Sequence, residues 1–188
     1  MARIVDDKRS RLIRAAAELS HAHGLGTISL ADIAQSADVP LGNVYYYFKT
    51  KGAIGEAVVA QRASELQKVQ EACDAASSPR ARLKAFIQMT VDNRDALARS
   101  GCPIGSLCAE LSKDAGALGD EAAAPFRRLL TWLEAQFAAL GHEDERRSLA
   151  LHLLAALQGV SLLASGFHDP NLVVREARFL KAWIDGLG

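Results

Sequence analysis

Apolar residues recur at helical spacing along nearly the whole chain, with no strand-like alternation. Leu12, Ala15, Ala16 and Leu19 form a stripe flanked by Lys8, Arg11 and Glu18, predicting a first helix over 7–23 that Gly24 and Gly26 stop. Ser29 and Asp32 then make a capping box, with Asp where Glu or Gln is commoner, and open a short helix over 30–37 that buries Ile33 and Ala34. Pro40 disfavours helical geometry at Val39 and suits the first turn of a third helix over 41–48. Thr50 caps a long helix to about residue 75, with Ile54, Val58, Leu66 and Val69 on its buried face.

Beyond it, Ser77-Ser78-Pro79 opens a helix running to about Arg99, and Ser100-Gly101-Cys102-Pro103 breaks it before a short helix over 104–112. Gly116 and Gly119 predict a loop, and further helices follow over 125–140, 143–165 and 170–186, the last started by Asp169-Pro170. The fold class expected is all-α. Three short helices, the second and third separated by a few residues, are the arrangement of a helix-turn-helix. The expected division is therefore a first domain over 1–52, a connecting helix over about 51–75, and a second domain over 53–188.

Composition narrows the function classes. At 188 residues, 49% hydrophobic and 23% charged, the chain reads as an ordinary globular protein of one or two domains. Its formal net charge is zero, so a nucleic-acid partner must be held by a local patch; Arg3, Lys8, Arg9, Arg11 and Arg14, against Asp6 and Asp7, form one. The N-terminus lacks the apolar core of a signal peptide, and Cys73, Cys102 and Cys108 contain no CxxC pair, which fits reduced thiols in a cytoplasmic protein. The uncharged stretch 148–167 has the length of a bilayer span, but Ser148, His152, Gln158, Gly159, Ser161 and Ser165 interrupt it. A helix covered on more than one face, with no membrane partner, is the expectation. No Gly-rich phosphate loop, nucleophile elbow or zinc-ligand spacing occurs, and His21 and His23 point to different faces of one helix. No catalytic residue, metal or cofactor is therefore expected.

The stretch 39–51 carries the chemistry. A helix entering a major groove needs small or adaptable groups at its leading end, which Leu41, Gly42 and Asn43 supply. Asn43 has the donor–acceptor pair that matches adenine, and Leu41 can meet a thymine methyl. Tyr45, Tyr46, Tyr47, Lys49, Thr50 and Lys51 offer hydroxyls and cations to phosphates, and the free amides after Thr50 form an anion site. Thr27 and Ser29, before the second helix, are placed to clamp the opposite strand. Val44 and Phe48 are core at i and i+4, but three consecutive tyrosines cannot all point inward.

Gly24, Thr27, Ile28, Ser29, Ile33 and Ala34, followed by Val39 to Lys51 with its Tyr-Tyr-Tyr-Phe-Lys-Thr-Lys run, resemble the DNA-binding domain of the TetR family over about residues 8–60. The resemblance implies that Leu41, Gly42, Asn43 and Tyr46 face bases, while Tyr45, Tyr47, Lys49 and Lys51 hold phosphates. The chain departs from the pattern at Gly52 and Ala53, where an acidic residue often follows the lysine; Gly52 should modestly weaken the next helix's first turn. Residues 101–110 look like a motif of one subset of such regulators.

The family also implies an effector-released repressor that binds a palindromic operator as a homodimer. Apolar residues surround the 143–165 helix, and Val173, Ala177, Leu180, Ile184 and Leu187 line the 170–186 helix; together they look like half of a four-helix interface. The second domain should hold an apolar or weakly polar small-molecule effector, with Phe86, Met89, Cys102, Leu107, Trp132, Phe137, His152 and Gln158 as candidate contacts. Cys102 lies near a helix N-terminus, which favours thiolate and gives an alternative reading as an oxidant or electrophile sensor. A thiol enzyme pairing Cys102 with His152 and a helical scaffold that binds no DNA are the remaining alternatives.

Overall fold

The computed structural model describes residues 7–113 and 117–187, and among them it contains α-helices and no strand. Arg3 and Asp6 of the basic patch, and Gly116 of the expected loop, lie outside the described residues. The chain forms two compact units, one from Met1–Ser64 with Ser106–Ala124 and the other from Glu65–Gly105 with Pro125–Gly188.

In the first unit, α1 (Lys8–His23) begins where the Ser10 amide donates to Asp7 Oδ1 at 2.7 Å. That bond holds the Asp7 carboxyl below its usual range. The helix stops at Gly24, whose φ of +87° is cheap only for glycine. The Ser29–Asp32 box opens α2 (Leu30–Ser36): the Asp32 amide donates to Ser29 Oγ, and the Ser29 amide donates to Asp32 Oδ2. Asp38, at φ +49°, turns the chain into α3 (Leu41–Tyr47). Arg11 fixes that turn, its Nη2 donating to the carbonyls of Ala37 at 2.5 Å and Asp38 at 2.7 Å. The long α4 (Lys51–Asp74) starts with the Ala53 amide donating to Thr50 Oγ1 at 3.1 Å. Leu12, Ile33, Val44, Phe48, Ile54 and Val58 make the core of this unit.

Leu107, Leu111 and Ala122 complete the same core, drawn from α7 (Pro103–Leu111) and α8 (Ala117–Ala122). The expected loop at Gly119 is therefore helix. One internal glycine costs about 1 kcal/mol against alanine, which burial of Ala122 offsets.

The second unit holds α5 (Pro79–Asp92), α6 (Arg94–Ser100), α9 (Ala124–Ala139), α10 (Arg146–Phe167) and α11 (Asn171–Gly186). The single helix expected to Arg99 is broken at Asn93, whose side-chain amide and backbone N–H both donate to the Met89 carbonyl. A short polar side chain there competes with the helical ladder. α11 packs on α5, α6 and α10, burying Val173, Ala177, Leu180 and Ile184 as their spacing predicts. Its opening is set by Asp169 Oδ1, which accepts from the Asn171 amide. α10 is long and apolar enough to cross a membrane, and it is buried on one side only: Leu153, Leu157 and Ala164 lie in the core while Leu151, Leu162, Leu163 and Phe167 are exposed.

Candidate functional site

The first unit presents α3. Val44 and Phe48 anchor it in the core, so Leu41, Gly42, Tyr45 and Tyr46 are left on the outside. Tyr45 is 51% and Tyr46 74% exposed, large values for aromatic rings on a folded helix. Tyr47 is half-buried against the core and meets the Tyr46 ring edge-on, with centroids 5.0 Å apart. Asn43 is also half-buried, within the first turn of the helix. Lys49 and Thr50 are exposed where α4 begins, and the Arg9 guanidinium sits over the Phe48 ring, 5.5 Å from its centroid.

The remaining polar candidates have internal partners. Thr27 Oγ1 donates to the carbonyls of His23 at 2.6 Å and Gly24 at 3.0 Å. The Ser29 hydroxyl donates to Asp32 Oδ2 at 2.7 Å, and this bond, the Ser29 amide and the nearby Lys51 cation hold the Asp32 carboxyl low. Lys51 Nζ donates to the Gly26 carbonyl at 2.7 Å. Thr27, Ser29 and Lys51 thus build the frame of the helix-turn-helix as well as its rim.

A residue the sequence did not single out takes part in that frame. Glu110, on α7, accepts from two successive amides, Leu25 N–H at 2.8 Å and Gly26 N–H at 2.5 Å. No local pattern announces a contact across 84 residues; the Gly-Leu-Gly turn that receives it and the 101–110 motif that ends on Glu110 are its sequence marks.

The effector candidates do not gather in one place. Phe86 and Trp132 meet with centroids 5.8 Å apart, Phe137 packs on Trp183 at 5.8 Å, and exposed His152 stands edge-on to Trp183 at 4.9 Å. Met89 adjoins this second core, its Sδ accepting from the Cys73 thiol, whose pKa burial pushes up with help from Asp74. Cys102 and Gln158 come together around Gly105: the Gly105 amide donates to Cys102 Sγ at 3.4 Å, and a Cβ on Gly105 would fall 2.6 Å from Gln158 Oε1. Leu107 lies in the core of the other unit, with α1 to α4. Cys102 Sγ thus accepts from the Gly105 amide, while His152 stands against Trp183.

Sequence reasoning also passed over Gln136, which is buried within α9. Its Oε1 accepts no hydrogen bond from any described residue. The signal was a glutamine on the apolar stripe of Leu129, Leu133 and Phe137.

Comparison with known proteins agrees with this geometry. Residues 12–58 match the model of bacterial regulatory proteins of the tetR family, and residues 79–173 match the C-terminal domain of LmrA/YxaF-like transcriptional regulators. The transcriptional regulator AcuR of Cereibacter sphaeroides is 32% identical over 124 residues, covering 64% of this chain and 55% of the relative. The transcriptional repressor DhaR of a Mycobacterium species is 29% identical over 106 residues, 55% of this chain and 52% of its own. The chain thus spans about half the length of these two curated relatives. Among solved structures, a TetR regulator from Legionella pneumophila superposes with a TM-score of 0.86 at 19% identity, covering 96% of this chain and 99% of that one. SCO4454 from Streptomyces coelicolor gives 0.81 at 20% identity, with 96% and 93% covered.

Proposed function

Since the chain belongs to the TetR family and is thus a DNA-binding transcription regulator, we propose that it is an effector-released repressor holding a palindromic operator as a homodimer. The observation that carries this reading is the outward face of α3, where two tyrosines and a leucine are exposed around Gly42 on a helix anchored by Val44 and Phe48. Packing does not require those rings to face water; base and phosphate contacts do. In this reading Leu41, Gly42, Asn43 and Tyr46 meet bases, and Tyr45, Tyr47, Lys49, Thr50 and Lys51 hold the backbone, with Thr27 and Ser29 at the opposite strand.

The apolar residues that α10 and α11 leave exposed support dimerisation through these helices, with two α3 helices about 34–36 Å apart on successive major grooves. DhaR, named as a repressor, supports that sign of regulation. Effector binding in the second unit shifts the population away from the operator-competent spacing, and α4, α7 and α9, each with residues in both units, are the covalent routes. The protein works by binding rather than turnover, in the cytoplasm where the operator lies.

Footprinting the DNA that flanks its coding region, across a salt series, tests the reading. A protected palindrome whose affinity falls steeply with salt supports it; failure of the wild-type protein to select any duplex from a randomised pool at low salt overturns it. On the selected duplex, Tyr45→Phe should weaken binding evenly across sequence variants, whereas Asn43→Ala should cost roughly 1–3 kcal/mol on the cognate site and relax preference at one position per half-site. Equal losses on every variant would remove Asn43 from base reading.

Gln136 supports an effector bearing an N–H or O–H donor, because a buried carbonyl oxygen without a donor is costly. Gln136→Met should accordingly stabilise the effector-free protein by about 1 kcal/mol, raising Tm by roughly 2–4 °C. An unchanged or lowered Tm would mean that the oxygen is already satisfied.

A further inference from the structure

The grip on the α1–α2 turn goes beyond the family reading. Gly26 is held from both sides: its N–H donates to the Glu110 carboxylate, and its carbonyl accepts from Lys51 Nζ. The Leu25 amide adds a second bond to the same carboxylate. Charge-assisted bonds to two successive amides fix the orientation of both peptide planes. This turn leads directly into Thr27 and Ser29, and Lys51 is the first residue of α4. The glycines keep the seat clear: Gly24 has φ +87°, and a Cβ on Gly26 would lie 3.0 Å from Glu110 Oε1.

A carboxylate beside a phosphate-binding rim repels the ligand, so its presence there calls for a gain that Coulomb attraction does not supply. We propose that Glu110 is a positioning residue for operator binding, setting the α1–α2 turn against the start of α4 so that the phosphate contacts on the two elements engage together. The inference rests on the operator-binding reading.

The test measures affinity, by fluorescence anisotropy, for the duplex that the wild-type protein selects from a randomised pool. It compares Glu110→Ala, Glu110→Gln, Gly26→Ala and the Glu110→Ala, Gly26→Ala double variant, each with active fraction and Tm determined separately. Loss of the negative charge alone would tighten binding. Positioning predicts the reverse: Glu110→Ala weakens it roughly tenfold, in the range of a lost charge-assisted bond. Glu110→Gln, which keeps one acceptor, falls between. Gly26→Ala should weaken binding in the wild-type background and have no effect once the carboxylate is gone. Unchanged or tighter binding by fully active Glu110→Ala overturns the proposal, as does an equal cost of Gly26→Ala in both backgrounds. Should Glu110→Ala fail to fold, Glu110→Gln carries the same comparison. A wild-type protein that selects no duplex overturns the operator reading, and the positioning role with it.

Discussion

A Leu162→Glu, Phe179→Glu variant should sediment as a folded monomer and lose roughly a hundredfold or more in operator affinity. Both side chains are 73% exposed, one on α10 and one on α11, and neither contributes to the second core. Around them Leu151, Leu163 and Phe167 are exposed as well, with Ala155, Gly159 and Gly166 between them on α10. An apolar surface of this extent gains about 25 cal/mol for each Å² it removes from water. In a two-fold interface each introduced glutamate appears twice, so four carboxylates would be brought together without partners. The loss on DNA follows from linkage: with one half-site bound, the second recognition helix is held at high effective concentration only while the protomers remain joined. Sedimentation with far-ultraviolet circular dichroism checks the first part, and anisotropy on the selected duplex the second. A variant that remains dimeric would move the interface elsewhere; a monomer binding with wild-type affinity would end the case for dimeric recognition.

Phe137→Ala should cost about 3–5 kcal/mol, the largest stability loss expected from a single truncation here. The ring is fully buried among Leu133, Leu153, Leu180 and Ile184 and packs against Trp183. Its removal leaves a cavity that three helices would have to shift to fill. The first unit has a core of its own, so the loss should be local: amide exchange should accelerate in α9, α10 and α11, while α1, α2 and α3 keep their protection. Uniform acceleration along the chain would show that the two cores unfold as one.

What the sequence reveals depends on the range of the interaction concerned. The Ser29–Asp32 box, the stop at Gly24 and the turn before Pro40 are decided within four or five residues, and the structure has them where the pattern predicts. The exposure of Tyr45 and Tyr46 follows from helical geometry once Val44 and Phe48 are assigned to the core. The break at Asn93 was harder to read, because asparagine inside a helical pattern interrupts it only if its side chain captures a carbonyl, as it does at Met89. α8 was obscured by Gly119, whose cost tertiary burial overrides. The Glu110 contact is beyond local reading altogether, since its partners are set by the packing of α7 into the first core. The scattering of the effector candidates has the same origin: aromatic and polar residues mark helices that contribute to a core, but not which core receives each one.

The first unit is discontinuous in sequence, and this bears on how the protein is made and how such proteins are recombined. Leu107, Leu111 and Ala122 close a core whose other members all precede Ser64. Until α7 and α8 have left the ribosome, a nascent chain lacks the part of that core supplied by Leu107, Leu111 and Ala122, so its reading head is completed only after α5 and α6 have been translated. For the same reason, exchanging the N-terminal segment alone between two regulators would seat one protein's reading head on another's floor. A graft that carries α7 and α8 along would transplant the whole module.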